Sequence, residues 1–109
     1  MFKVNIAESV YDVIFNEVSK RLEEEHSRGF KLYHDVITGF YVQLLNISET
    51  LKYNPYAFPE LIPRYRYILN LSIYLIYKIE NNTVSIVDGI TYKRWTEAYQ
   101  SYSQNEKVN

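Results

Sequence analysis

Ser72 to Glu80, SIYLIYKIE, is apolar at nearly every position. A half-exposed strand alternates apolar and polar residues, whereas one covered on both faces need not. This segment therefore belongs at the centre of a sheet, and the rest of the chain must supply its neighbours and its cover. Asn81-Asn82 follows it, and asparagine tolerates the positive φ of a tight hairpin turn. Thr83 to Tyr92 is thus expected to return as the partner strand. Arg64 to Asn70 alternates and reads as the preceding strand. Sequential hairpins make these three strands antiparallel.

The cover comes from upstream. From Ala7 to His26, residues Val10, Val13, Ile14, Val18 and Leu22 recur at helical spacing. Asn5 and Glu8 have the spacing of a capping box, and Gly29 fits a helix stop. A second stripe follows, formed by Phe30, Tyr33, Ile37, Phe40, Leu44, Ile47 and Leu51. With only Ser27-Arg28-Gly29 between them, the two helices are expected to form an antiparallel hairpin on one face of the sheet. Phe2 to Ile6 reads as a short strand that joins the sheet edge. Asn54, Pro55, Pro59 and Pro63 mark an irregular loop between the second helix and the sheet. Trp95, Tyr99 and Tyr102 have the spacing of a short C-terminal helix. The expected fold is α+β: strand, helical hairpin, then a three-stranded antiparallel sheet. Residues 1–95 form one domain and 96–109 a polar tail.

Composition removes whole classes of chemistry. The chain has 109 residues, a formal net charge of -1 and no cysteine. There is thus no disulfide framework, thiol nucleophile or Cys-ligated metal. The near-neutral balance gives no global basic footprint for nucleic acid. No apolar stretch is long enough to span a bilayer, and MFKVNIAESVYD does not read as a signal peptide, so a cytoplasmic location and no membrane partner are expected. The glycines Gly29, Gly39 and Gly89 form no phosphate loop. His26 and His34 are eight apart and lack a carboxylate partner at ligand spacing, so they read as solvent-facing helix residues. No cofactor and no metal are expected.

The 12 tyrosines stand out, because tyrosine combines an apolar ring with one polar tip. Tyr33, Tyr41 and Tyr77 read as half-buried packing residues. Arg64 and Arg66, two apart on one expected strand, point to the same face. With Lys78, Tyr92 and Arg94 they form a candidate phosphate-binding face. In a ribonuclease, arginine would offset developing phosphorane charge while lysine or tyrosine moved protons. The competing reading is a set of surface charges that keep a sheet soluble.

Element order and short motifs together resemble the RelE/ParE superfamily, the toxins of type II toxin–antitoxin modules. SVYDV (Ser9 to Val13) stands where the family often reads A-x-x-D-L, and LKYNPYAFPEL (Leu51 to Leu61) matches its L-x-x-x-P with a following Phe-Pro. Arg66, LSIYLIYKIE, Asn81-Asn82, Thr83-Val84 and TYKR continue the pattern. The family's Phe-Pro-Tyr is replaced by Leu71-Ser72-Ile73, and its frequent His by Thr91. The ribonuclease branch's G-x-Y-R approach is missing, and Arg94 and Tyr99 have the wrong spacing for its close. The resemblance therefore implies the ParE-like, plasmid-stabilisation side: a toxin that binds DNA gyrase and is neutralised by a cognate antitoxin. Lys93, Arg94 and Trp95 are the candidate target-binding residues, because Trp and Arg are over-represented among interface anchors and the segment is expected to project from the sheet's end. The alternatives are a RelE-like endoribonuclease acting on mRNA at the ribosome, and a diverged member without toxic activity.

Overall fold

The computed structural model describes residues 1–24, 31–70, 73–97 and 99–101. The expectations for His26, the Ser27-Arg28-Gly29 connection, Phe30, Leu71-Ser72 and Tyr102 lie outside these residues. So do those for the side chains of Leu22, Tyr33, His34, Ile37 and Lys93.

The elements run β1 (Lys3–Ile6), α1 (Glu8–Glu24), α2 (Lys31–Tyr53), β2 (Glu60–Ile62), β3 (Tyr65–Asn70), β4 (Ile73–Glu80) and β5 (Thr83–Thr91). The architecture is α+β. The sheet has five strands in the order β1-β5-β4-β3-β2, so β4 takes the central place that its apolar run predicts. Two features differ from the expectation of three antiparallel strands. β1 takes the sheet edge as expected, but it pairs parallel to β5, Lys3 opposite Thr83 through Ile6 opposite Ile86, which makes the sheet mixed. The Pro-rich loop is also partly regular: Pro55–Ala57 makes a 3₁₀ turn, and Glu60–Ile62 pairs with β3. A three-residue strand bounded by prolines carries too little pattern to be read locally.

The turns follow residue chemistry. Asn81 and Asn82 both take positive φ, 51° and 61°, as the hairpin between β4 and β5 requires. Arg64 has φ 77° in the turn after Pro63. It is therefore a turn residue and not, as the alternation suggested, a strand residue sharing a face with Arg66. Asn5 does not cap α1, because it sits inside β1 opposite Ser85. Ala7 makes the transition instead. Its N–H continues the ladder to the Ile86 carbonyl (2.9 Å), and its carbonyl accepts the Val10 N–H (3.0 Å).

Both helices pack on one sheet face. Val10, Ile14 and Val18 of α1 join Phe40, Leu44, Ile47 and Leu51 of α2 over Ile68, Ile73, Leu75, Tyr77, Val84 and Ile86. The Phe2 N–H bonds the Lys52 carbonyl at the end of α2, and Arg21 near the end of α1 lies 5.0 Å from the Phe40 ring centre. The two helices thus run antiparallel. Tyr41 points outward from α2 and is exposed, unlike the half-buried ring expected of it.

The opposite face of β4 is covered as well. Ile76 is fully buried there with Leu61 and Ile90, and Tyr67, Val87 and Trp95 close over them. Both covers that the SIYLIYKIE run demands are therefore present, the second supplied by short segments at the chain's end and at β2.

Candidate functional site

The residues proposed for phosphate chemistry are dispersed. Strand alternation puts Arg66 on the helix face of β3, opposite Tyr77, while Lys78 lies on the other face of β4, opposite Tyr65. Arg66 is committed to structure: Nη1 donates to the carbonyls of Tyr56 (3.2 Å) and Phe58, and Nη2 reaches Glu60 Oε1 at 3.4 Å. Its guanidinium also lies 5.4 Å from the Tyr56 ring centre. It staples the 54–60 loop to the sheet. Lys78 Nζ pairs with Glu80 Oε1 at 3.8 Å. Arg64 occupies the β2–β3 turn.

Tyr77, next to Arg66, is fully buried, and its hydroxyl donates to the Pro55 carbonyl at 2.6 Å. Burial pushes its pKa up to about 12, against the smaller opposing effect of the Arg66 charge. A phenol that holds its proton this tightly is unsuited to proton transfer at neutral pH.

Beyond β5 the chain takes a 3₁₀ turn over Tyr92–Arg94, and residues 95–97 and 99–101 are helical. This segment folds back where projection was expected. The Trp95 ring stacks on Tyr74 of β4 with centroids 3.9 Å apart, and Tyr67 lies 5.3 Å from Trp95. Tyr92, 64% exposed, lies nearly parallel to Tyr74 at 6.2 Å, and Tyr99 packs on Trp95 at 6.1 Å. Tyr74 and Tyr67 were not singled out in the sequence. Their only signal is position on alternating strands, and it does not say which ring a later turn will land on.

Arg94 points elsewhere. It lines an open cleft of about 690 Å³ between α1, the end of β5 and the C-terminal helical turns, with Lys20, Glu17, Asp88, Thr91 and Glu97. Lys20 could not have been joined to Asp88 and Arg94 from sequence, since it is brought to them only by α1 crossing β5.

The arrangement thus offers an aromatic cluster with one exposed ring, a polar cleft beside it, and apolar residues exposed on the helices, among them Phe15 (59%) and Leu45 (69%). It offers no joint placement of Arg66, Lys78, Tyr92 and Arg94 around one phosphate. No described helix is long and apolar enough to cross a membrane. In comparisons with known proteins, no family model and no curated protein matches the chain.

Proposed function

We propose that this chain is the toxin of a type II toxin–antitoxin module, of the ParE-like kind, which acts by binding DNA gyrase and is neutralised by a cognate antitoxin. One observation carries the choice of protein binding over RNA cleavage: Arg66 and Lys78, two of the cations a nuclease would need, lie on opposite sheet faces, and Arg66 is already bonded to loop carbonyls. A transition-state clamp needs preorganised donors converging on one group. The succession of strand, helical hairpin and antiparallel strands, with β1 at the sheet edge, supports the reading, and β2 is an addition to the order that the resemblance implies. Tyr92 and Arg94 are exposed on the segment assigned to target binding, and tyrosine and arginine are enriched at protein interfaces.

The reading is tested by expressing the chain alone and assaying the purified protein in two systems. Growth arrest with loss of gyrase supercoiling, and intact messages in a purified translation system, is the expected result. Message cleavage that disappears in Arg66→Ala or Arg94→Ala, with supercoiling untouched, would assign the nuclease activity instead. Neither activity, and no toxicity at high expression, would leave a fold retained without the function.

A further inference from the structure

Each helix has one flank that the fold uses and one that it leaves over. On α1, Val13, Glu17 and Lys20 line the cleft at the end of β5. On α2, Gln43 turns to β3, where its Oε1 accepts the side-chain N–H of Asn70 at 3.4 Å. The opposite flanks therefore turn to the groove between the two helices and its outer rim. They carry Tyr11 and Phe15, one turn apart on α1, and Tyr41 and Leu45, one turn apart on α2, with Val42 beside them. All five are exposed. They present an apolar patch of roughly 400 to 500 Å², the size at which an exposed patch marks a contact surface.

The two rows stand level. Arg21 lies over Phe40, and the Phe2 N–H bonds the Lys52 carbonyl, so the start of α1 and the end of α2 share one end of the hairpin. Phe15, six residues before Arg21, is then level with Leu45, five after Phe40. Further along the same rows stand Glu8 in the first turn of α1 and Lys52 in the last turn of α2. The pair that Lys52 makes with Glu49, at 3.3 Å, is exposed on both sides and weak.

We propose that the outer face of the helical hairpin is a contact between two copies of this chain, α1 of each lying over α2 of the other about a two-fold axis parallel to the helices. Such a contact needs a surface that complements itself. This one does so twice: Phe15 of each copy meets Leu45 of the other, and Glu8 of each meets Lys52 of the other. The paired helices run in opposite directions, so the positive start of α1 lies beside the negative end of α2. Two copies of the patch with their polar rims remove about 1,200 Å² from water, the lower end of what a stable pairing buries. A lipid surface is the poorer occupant, because anionic headgroups would repel Glu8, Asp12 and Glu49 on the rim. A foreign segment would have to supply both the apolar row and the charges that a second copy already carries. The inference does not rest on the toxin reading, since it concerns what the chain does alone in solution.

The test is equilibrium sedimentation of the full chain over a range of concentrations. A reversible dimer is expected, with a dissociation constant of about 1 to 100 μM, the range of a small transient contact. Leu45→Glu puts a charge into the apolar contact and should weaken it at least about tenfold. The position is exposed, so the chain keeps its fold. Glu8→Lys and Lys52→Glu should each weaken the dimer, and the double variant should recover it. The chain has no cysteine. A mixture of Phe15→Cys and Leu45→Cys chains should therefore cross-link on oxidation, faster than Phe15→Cys chains alone. A chain that stays monomeric up to about 1 mM would overturn the proposal. So would a dimer that Leu45→Glu leaves intact, or one in which the mixed cysteine chains fail to cross-link. Binding of the monomer to phosphatidylserine vesicles, abolished by Leu45→Glu, would overturn it too and assign the face to a lipid surface.

Discussion

Trp95 lies flat on Tyr74: the ring centroids are 3.9 Å apart and the planes 13° from parallel. The pair closes the face of β4 that the helices do not cover, over Ile76 and Ile90. Trp95→Ala is expected to cost about 2 kcal/mol, roughly half of what deleting a fully buried aromatic ring costs. Urea unfolding reads the loss, and an unchanged midpoint would show that the ring contributes nothing to this core. Truncation from Tyr92 onward would open the same face, so any loss of activity in that variant must be judged against its stability. Arg94→Ala, at an exposed position, is the cleaner probe of target binding.

Phe40 is buried between the helices and the sheet, with 5% of its surface exposed. Phe40→Ala is expected to destabilise by about 3 to 5 kcal/mol. A measured loss below about 1 kcal/mol would place Phe40 outside the core.

Tyr77 links stability to alkaline pH. Its hydroxyl is buried and titrates near 12, against an ordinary value of 10.0. Below that ordinary value both folded and unfolded chains keep the proton, and the stabilisation is fully present. As pH rises through the window the unfolded chain loses its proton first, so stability falls, by about 2 to 3 kcal/mol in total. Tyr77→Phe also removes the bond to the Pro55 carbonyl, at a cost of about 1 to 2 kcal/mol near neutrality. Unfolding curves taken across the alkaline range should show a shallower decline in Tyr77→Phe than in the parent chain. Identical slopes would remove Tyr77 as the source.

Arg66 and Lys78 separate a structural arginine from a surface lysine. Arg66→Ala releases the carbonyls of Tyr56 and Phe58 and should cost about 1.5 to 3 kcal/mol, the range for bonds to a charged donor. Lys78→Ala loses only a loose pair with Glu80 and should change stability by less than about 1 kcal/mol. Neither change is expected to alter supercoiling inhibition once the protein is folded. A selective loss of activity in Lys78→Ala at unchanged stability would count against the separation.

Periodicity and turn chemistry alone determined the two helices, the central strand and the β4–β5 turn, because each is written in residues close along the chain. The SIYLIYKIE run even required cover on both faces before any partner was visible. What covers the second face was not legible: Trp95 and Leu61 come from distant short segments with no period of their own, and only folding brings them onto Ile76. The sheet's parallel edge was equally hidden, since strand direction depends on which neighbour β1 finds and not on its four residues. The candidate phosphate site failed for the same reason. Arg64, Arg66 and Lys78 are near neighbours in sequence, but a positive-φ turn and the two-residue alternation of strands send them to different places. Lys20 is distant in sequence from Asp88 and Arg94, and it meets them in one cleft because α1 crosses β5 where β1 has already left it.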